Sequence, residues 1–371
     1  MAPLYYWIRQ GKSTSKEAQL LTSLWPRCCA WVLPLRTGQD SVDRSWPSSI
    51  MGMPQGEQSA YTARWKEAAS FKIGDNIFHT TPYPGSGVIL AAVLRRNLKI
   101  KFVERLKFAF AQRSEVRQEN FGDEEQQNLV KKIQENFYKY FKRDSVLPTY
   151  ANYGGKYPIL EDFVGAHLLI RDPHDNAISI TASLNNEFGC MTMLRDPGYY
   201  LNNYGAAAWR WDIGTDVLSL LPPNHVLKGN RSVFTSMVPT IIARKEGSVN
   251  KLIAVLGSTG GTDSISALAQ LIECITKFPI FSCVVHNVRV HPYFDKTFKV
   301  KVGPPQAYFA PGDMLGQFGD YVEVYATVLS SAAGILRTNR GSWMSPVDTV
   351  LTGGSVSGDP FVHPLYNADR D

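Results

Sequence analysis

The strongest chemical signal in the sequence is a short glycine-rich stretch, GSTGG, at residues 257–261. It follows an apolar run at residues 251–256 that favours a β-strand, and it precedes a helical pattern through Ile265, Leu268 and Leu271. A strand that leads into a helix N-terminus presents unsatisfied backbone N–H groups and the positive end of the helix dipole. Such a loop suits a phosphate, a carboxylate or a developing oxyanion. A tight turn under close packing explains the glycines equally well, so both interpretations stay open.

Side chains for other familiar chemistries are absent or badly spaced in the sequence. Neither GxxxxGK[ST] nor GxGxxG occurs, which leaves little support for nucleotide binding. No HxxxH, HExxH or CxxC pair suggests zinc, and the closest histidines, His286 and His291, have no carboxylate between them. Ser86 lacks the GxSxG context of a hydrolase elbow. We therefore expect no metal and no organic cofactor.

The elements around these residues predict a sheet layered with helices. Strands are expected at residues 75–80, 166–171, 177–183, 238–244 and 251–256. The second and third of these are joined by DPHDN, which is strong turn chemistry for a β-hairpin. Helices are expected after residue 87, through residues 102–110, after residue 261, and from Asp123 along the apolar stripe of Leu129, Ile133, Phe137 and Phe141. The lysines beside that stripe indicate a solvated helix face.

Composition and charge limit the class of protein. The 371 residues are 44% hydrophobic and 19% charged, which excludes a disordered chain, a coiled coil and a collagen-like repeat. The net charge of +6 is spread along the chain, so it does not form the clustered basic surface that nucleic acid requires. The apolar run at residues 24–35 is short and interrupted, so we expect neither a membrane-spanning helix nor a secretory signal. These observations leave the localisation open.

Six motifs in a fixed order carry a resemblance to a known family. They are the hairpin from AHL at residues 166–168 to FG at residues 188–189, LNN at 201–203, TSMVPT at 235–240, GSTGG at 257–261, and upstream PYPGSG at 82–87 and the helix at 105–113. Together they resemble the γ-glutamyltranspeptidases, also called glutathione hydrolases. The resemblance covers residues 61–371, and residues 1–60 resemble nothing in that family.

The resemblance implies a fold and a domain organisation. The expected fold is α/β (α+β), a four-layer α/β/β/α sandwich of the N-terminal-nucleophile hydrolase type. Residues 61–164 would be the C-terminal part of the large-subunit region and residues 165–371 the small-subunit region, with 61–371 forming one domain. The N-terminal half of the large subunit has no counterpart here. An extracellular or plasma-membrane location and small γ-glutamyl ligands such as glutathione are also implied.

The resemblance implies a catalytic site, but the residue at its central position differs from the one that the family has. In the family, a threonine freed at the start of the small subunit is the nucleophile, and its own α-amine is the base. Gly165 stands at that position, so the hydroxyl for self-cleavage and γ-glutamyl transfer is missing. The oxyanion would be held by Gly260 and Gly261. The residues implied in substrate binding are Ser183, Asn185, Thr235, Ser236 and Met237.

Further differences from the family concern the binding of the substrate's charged groups. The family's Glu-Met-Asp-Asp, which binds the α-amino group, is replaced by Tyr-Gly-Ala-Ala at residues 204–207. The family arginine that grips the α-carboxylate falls in a region that this chain lacks. An unpaired ammonium group would be costly to bury.

Three interpretations remain open from the sequence. The chain is a catalytically inactive family member, a pseudoenzyme or binding protein, because Gly165 replaces the nucleophile. Alternatively, it is a working glutathione hydrolase with a substitute nucleophile, such as Ser183. The third interpretation is an incomplete or chimeric chain without independent function, because family members are longer.

Overall fold

The computed structural model describes residues 4–10, 65–94, 102–113, 149–156, 165–185, 234–276, 289–294, 298–303, 321–324, 330–338 and 341–345, with residues 128, 147, 188, 189, 191, 193, 194, 199, 200 and 202. Within these residues, mostly antiparallel strands combine with three α-helices. The fold is therefore mixed α+β, as the sequence predicted.

The larger sheet has six strands, namely β2 (Ala69–Ile73), β3 (Asn76–Thr80), β8 (Thr240–Glu246), β9 (Val249–Thr259), β13 (Ser331–Arg337) and β14 (Trp343–Met344). Their spatial order is β14-β13-β9-β8-β3-β2, and all neighbouring pairs are antiparallel. The β8–β9 hairpin turns at Gly247, whose φ of 62° lies in the left-handed region that glycine adopts without strain. The predicted pair of strands around this glycine is confirmed.

The smaller sheet has three strands in the order β1-β5-β4 and carries Gly165. Its strands are β1 (Leu4–Gln10), β4 (Gly165–Arg171) and β5 (Ala177–Ser183). The Asp172 carboxylate closes the β4–β5 hairpin, because one of its oxygens accepts from the backbone N–H groups of His174 and Asn176, each at 2.8 Å. This side-chain capping is the turn chemistry that predicted the hairpin.

The N-terminal segment contributes an edge strand to this smaller sheet. Strand β1 pairs antiparallel with β5, and Leu4 lies opposite Ser183. Gly165 lies opposite the same Ser183 on the other side of β5. A segment that resembles nothing in the family therefore borders the strand that ends in a predicted site residue.

The two sheets pack face to face. Their common apolar cluster includes Leu169 and Ala177 from the smaller sheet and Leu252 and Val255 from the larger one. Strand β9 carries a bulge, seen as a register shift between Ile242/Ala243 of its partner β8. The bulge adds one residue to β9, so Leu252 and Val255 face the same side although they are three positions apart.

The helices cover the other face of the larger sheet. They are α1 (Gly87–Leu94), α2 (Phe102–Arg113) and α3 (Asp263–Ile275), at positions where the sequence predicted helices. Their buried residues Leu90, Leu106 and Leu268 belong to one apolar core with Phe78 and Leu256 of the sheet. Alternate residues of β9 thus contribute side chains to the apolar clusters on the two faces of the larger sheet.

Helix α2 is buried even at its charged residues, although its sequence pattern is amphipathic. The Glu104 carboxylate accepts from Lys107 Nζ at 3.0 Å and from the Tyr153 hydroxyl at 2.6 Å. Tyr153 lies in a 3₁₀ helix, Tyr150–Tyr153, that packs against α2. Buried charges need such partners, because an unpaired one would lose its hydration without compensation.

The described residues form three layers, namely the smaller sheet, the larger sheet and the helices. The second helix layer of the predicted sandwich stays a prediction. The helix expected from Asp123 lies outside the described residues, apart from Asn128. Two further pairings complete the described strands: β10 (Arg289–Phe294), β11 (Phe298–Gly303) and β12 (Tyr321–Val324), and β6 (Met193–Leu194) with β7 (Tyr199–Tyr200). Among the helices that the structure describes, none has the length and apolar character needed to span a bilayer.

Candidate active site

The glycine loop begins inside β9, which extends to Thr259 rather than ending at residue 256 as predicted, and Gly260 and Gly261 lead from the strand to the first turn of α3. Gly260 has a φ of 118° and Gly261 a φ of 64°, conformations that L side chains rarely adopt. The loop is fixed to the helix, because Ser264 N donates to Gly261 O at 3.0 Å and the Ser258 hydroxyl donates to Ser264 O at 2.7 Å. The two glycines therefore allow a backbone conformation that leads directly into a helix N-terminus, where the helix dipole favours an anion.

A second part of the site is the buried segment at residues 234–239, which precedes β8. Thr235, Ser236 and Met237 are all buried. The turn before α1 holds this segment: the Ser86 hydroxyl donates to Thr235 O at 2.7 Å, and Ser86 N donates to Met237 O at 3.2 Å. Two motifs that are about 150 residues apart in the sequence thus fold into one hydrogen-bonded unit.

Ser236 connects this segment to the glycine loop. Its carbonyl accepts from the Ser264 hydroxyl at 3.2 Å, and Ser264 is the residue that bonds to Gly261. Its own hydroxyl accepts from Arg113 Nη2 at 2.7 Å. The structure therefore brings the predicted residues Ser236 and Gly261 together and adds Arg113, for which the sequence predicted no site role.

The predicted nucleophile position has little room for a side chain. Gly165 is the first residue of β4 and pairs with Ser183 of β5. A Cβ atom at position 165 would lie 2.9 Å from Ala182 O and 3.7 Å from the Ser183 Cβ. The first distance is too short for a real Cβ contact with a backbone oxygen. A side chain therefore requires a backbone shift here.

Ser183 and Asn185 lie together at the end of β5, and both are buried. The Ser183 hydroxyl oxygen accepts from Asn185 N at 2.9 Å. Asn185 has a φ of 74°, in the left-handed region that asparagine tolerates better than most residues. The predicted substrate-binding pair thus forms a local turn next to the position of Gly165.

His167 is the imidazole nearest to Gly165 along β4, and it faces the larger sheet. Its Nδ1 lies 2.8 Å from the Thr181 hydroxyl, and its ring covers Gly257 so closely that a Cβ there would come within 1.8 Å of the ring. Its Nε2 is buried and has no hydrogen-bond partner among the residues that the structure describes. Burial lowers the pKa of His167 to about 3, because the charged form would lose its hydration.

The packing of the two sheets indicates where Gly165 lies relative to the glycine loop. Leu169 packs in the cluster that contains Val255, and His167 covers Gly257. Side chains alternate along a strand, so Gly165 is the next residue of β4 on this face. We therefore expect Gly165 and Ser183 to lie beside the end of β9, where the glycine loop begins.

A buried serine and a buried histidine also meet a partly buried aspartate near the glycine loop, and sequence reasoning missed this group. His291 Nε2 lies 3.1 Å from an Asp263 oxygen, and His291 Nδ1 lies 2.9 Å from the Ser266 hydroxyl. His291 is also in edge-on contact with Phe110. Ser266 and His291 are each only 1% exposed, so a substrate has no access to that hydroxyl. The group ties the start of α3 to β10, and no spacing motif signals it.

Two predicted parts of the site lie wholly or mostly outside the residues that the structure describes. The replacement of acidic residues at 204–207 lies outside the described residues, as does LNN apart from the buried Asn202. Within the part of the chain that the structure describes, no three His, Cys, Asp or Glu side chains form a group that could hold a metal ion.

Comparison with known proteins yields matches to one family. The sequence pattern described as Gamma-glutamyltranspeptidase matches residues 57–354. Glutathione hydrolase 2 of Arabidopsis thaliana is 31% identical over 179 residues, which are 46% of this chain and 30% of that protein. The A. thaliana protein named "Putative inactive glutathione hydrolase 4" is 31% identical over 148 residues, 39% of this chain and 70% of that protein.

A solved structure extends the likeness to the fold. Cephalosporin acylase from Bacillus halodurans superposes with a TM-score of 0.53 at 15% identity, covering 78% of this chain and 52% of that chain. At that identity the similarity concerns the fold alone. The match to glutathione hydrolase 2 spans under a third of that protein's own length.

Proposed function

The chain belongs to the γ-glutamyltranspeptidase family, and from that premise we propose that it is a catalytically inactive member of it. In this proposal the transfer and hydrolysis of γ-glutamyl groups are lost, while the part of the site that would hold an anion is kept.

The single observation that carries the proposal is Gly165. A glycine supplies no hydroxyl, and the position leaves no room for a Cβ without a shift of the neighbouring strand, since Ala182 O would lie 2.9 Å away. Both self-cleavage and acyl transfer in this family start from a hydroxyl at this point of the chain. Loss of the nucleophile from such a unit costs several orders of magnitude in kcat.

No described residue offers a ready substitute for both nucleophile and base. Ser183 is closest to the position, but its hydroxyl oxygen accepts from Asn185 N. A serine nucleophile needs an adjacent base with a pKa near the working pH. His167 contacts Thr181 rather than Ser183, and its pKa of about 3 makes it a weak base.

The residues that remain suit a carboxylate. Ser236 and the glycine loop are linked through Ser264, and Arg113 adds a buried cation behind Ser236. The backbone N–H groups of the glycine loop, where Gly260 is partly exposed, would donate hydrogen bonds to an anion, and the buried Ser236 and Arg113 support this loop from behind. A small γ-glutamyl compound such as glutathione carries carboxylates of this kind.

The test is a turnover and cleavage assay on the purified full-length chain. We expect one uncut band on a denaturing gel and no release of chromophore from a γ-glutamyl chromogenic substrate. Mass spectrometry after treatment with a glutamine-analogue inactivator should find no covalent adduct. Clear turnover by the wild-type chain would contradict the proposal.

A second candidate is an active hydrolase that uses Ser183. The observation in its favour is the register, which places Ser183 directly opposite Gly165. This candidate predicts turnover and an adduct on Ser183, and both should disappear in Ser183→Ala. Turnover that survives Ser183→Ala would exclude this candidate and indicate another nucleophile.

A further inference from the structure

An exposed serine faces a histidine on the hairpin of β2 and β3, at one end of the larger sheet. Ser70 and His79 occupy directly opposite positions in the register of the two strands, and Ser70 Oγ lies 2.8 Å from His79 Nδ1. We propose that these two residues form a pair of nucleophile and base, which accepts the acyl group of an activated ester at Ser70. The pair shares no residue with the candidate active site around the glycine loop.

The hairpin holds the two side chains in register. On its other face, the neighbouring Phe71 and Phe78 belong to the apolar core, and their rings stack with 5.0 Å between the centroids. Strand β3 also pairs with β8, where His79 lies opposite the buried Ile241. Side chains that are held on paired strands keep their separation better than side chains on loops, so the hydroxyl and the imidazole stay in contact.

Accessibility distinguishes this pair from two other hydroxyl–imidazole contacts of the described residues, which are Thr181 with His167 and Ser266 with His291. Those two hydroxyl residues are only 3% and 1% exposed. Ser70 is exposed and His79 is half-buried, because the smaller sheet packs mainly on β8, β9 and β13. An ester can therefore reach the Ser70 hydroxyl, whereas the other two hydroxyls are closed to it.

The imidazole is in the protonation state that a base requires. Burial lowers the pKa of His79 below its usual value, so the ring is neutral at pH 7. In the tautomer with the proton on Nε2, His79 Nδ1 accepts the hydrogen of the Ser70 hydroxyl. The contact of that hydroxyl with Ala68 O is longer, at 3.4 Å, so the carbonyl competes weakly for the same hydrogen.

The proposed reaction has two balanced steps. In the first step, Ser70 Oγ attacks the carbonyl carbon of the ester while its proton passes to His79 Nδ1. The bond between the carbonyl carbon and the leaving oxygen then breaks, and the imidazolium returns the proton to that oxygen. In the second step, water attacks the acyl-serine with the same nitrogen as base, which releases a carboxylic acid and restores the serine.

The charge beside the pair limits the class of ester. Lys72 is exposed and lies two residues from Ser70 on the same face of β2, where its positive charge favours the developing oxyanion. A cation on a flexible side chain is a weaker oxyanion site than fixed backbone N–H groups. We therefore expect aryl esters of short carboxylic acids to react, and γ-glutamyl amides, whose leaving group is poorer, not to react. The proposal thus stands apart from the proposed function.

Treatment of the full-length chain with para-nitrophenyl acetate tests the proposal, and peptide mass spectrometry locates the acetyl group. Ser342 is the matched control within the chain, because it is also exposed but lies 2.7 Å from the Thr338 hydroxyl rather than beside an imidazole. We expect Ser70 to be acetylated about a hundredfold faster than Ser342. His79→Gln should slow the acetylation of Ser70 by about a hundredfold, and Ser70→Ala should abolish the fast release of nitrophenol.

Three results of this experiment would overturn the proposal. One is equal acetylation of Ser70 and Ser342 in the wild-type chain, a comparison that needs no variant. Another is unchanged acetylation of Ser70 in His79→Gln, with urea unfolding as the check that this variant folds like wild type. The third is acetyl groups on Lys72 but not on Ser70, which would mean that the ammonium side chain, and not the serine, is the nucleophile of the hairpin.

Discussion

The two sides of the candidate site are built from different kinds of groups. On the anion side, the glycine loop contributes backbone groups, and Ser236 is held by bonds to Arg113 and Ser264. On the nucleophile side, our proposal depends on one hydroxyl, which the family resemblance implies at position 165, where this chain has glycine. A function that backbone groups perform depends on chain conformation and survives many substitutions. A function that one side chain performs is lost with a single substitution.

The largest effect that we predict concerns Gly257, the first residue of the glycine loop, which the His167 ring of the smaller sheet covers. Gly257→Ala should lower the free energy of unfolding by about 3 kcal/mol, because the new Cβ would lie only 1.8 Å from the His167 ring. Urea unfolding of the variant against wild type measures this change. We expect the His167 ring, and not the backbone of β9, to be displaced.

A double-mutant cycle isolates that cause. His167→Ala removes the ring, so Gly257→Ala should cost much less in the His167→Ala background than in wild type. Gly247→Ala is a useful control, since no atom lies within 4 Å of its Cβ and only its φ of +62° opposes the side chain, at about 1 kcal/mol. Additive effects of the two changes would contradict the contact.

The second prediction is a loss of stability in acid that depends on His167. Its pKa is about 3 in the folded chain against 6.5 for an unperturbed histidine, so the unfolded chain binds the proton more strongly between these pH values. The contribution of neutral His167 is complete above pH 6.5 and is lost as the pH falls towards 3. Between pH 7 and pH 5 it should amount to about 2 kcal/mol.

Urea unfolding at a series of pH values, with His167→Gln as the reference, measures this contribution. The difference in unfolding free energy between wild type and variant should shrink as the pH falls, because glutamine does not titrate. Other groups, including the partly buried His79 whose pKa burial also lowers, cancel in this difference. A difference that stays constant with pH would contradict the desolvation of His167.

Local patterns in the sequence predicted the elements of the site better than their contacts. The hairpin at Asp172, the strands around Gly247 and the helix after Gly261 all follow from turn chemistry and periodicity within a few residues. The described part of the fold is therefore largely that which local signals predict. The helix expected from Asp123 and the fourth layer remain predictions.

The contacts that join the site were not predictable, because they link distant parts of the chain. The pairing of Arg113 with Ser236 spans 123 positions, and β1 joins β5 although the two strands lie far apart in the sequence. The His291 cluster likewise depends on how β10 packs against α3. Propensity and spacing describe local backbone preferences, whereas such contacts depend on the packing of layers.

The third prediction compares one serine from each side of the site. Ser236→Ala should destabilise the chain by about 2 kcal/mol, because it leaves a buried guanidinium N–H without its acceptor. Ser183→Ala should cost about 1 kcal/mol, since it removes a neutral hydrogen bond from Asn185 N. Chemical denaturation of both variants measures the difference. Equal costs would mean that the two sides are held equally tightly.

The smallest effect that we predict is that of Gly165→Thr, for which we expect a small loss of stability and no gain of activity. Gly165→Thr should cost about 1 kcal/mol of stability, because the new Cβ meets Ala182 O, and should leave the chain uncut and without turnover. A threonine there remains in a peptide bond with Val164 until the chain cuts itself, so it has no free α-amine to act as base. Gly165→Ala is the matched control for stability alone. Two fragments on a gel together with turnover in Gly165→Thr would show that the nucleophile side lacks only a hydroxyl, and that the strand beside it yields to a side chain.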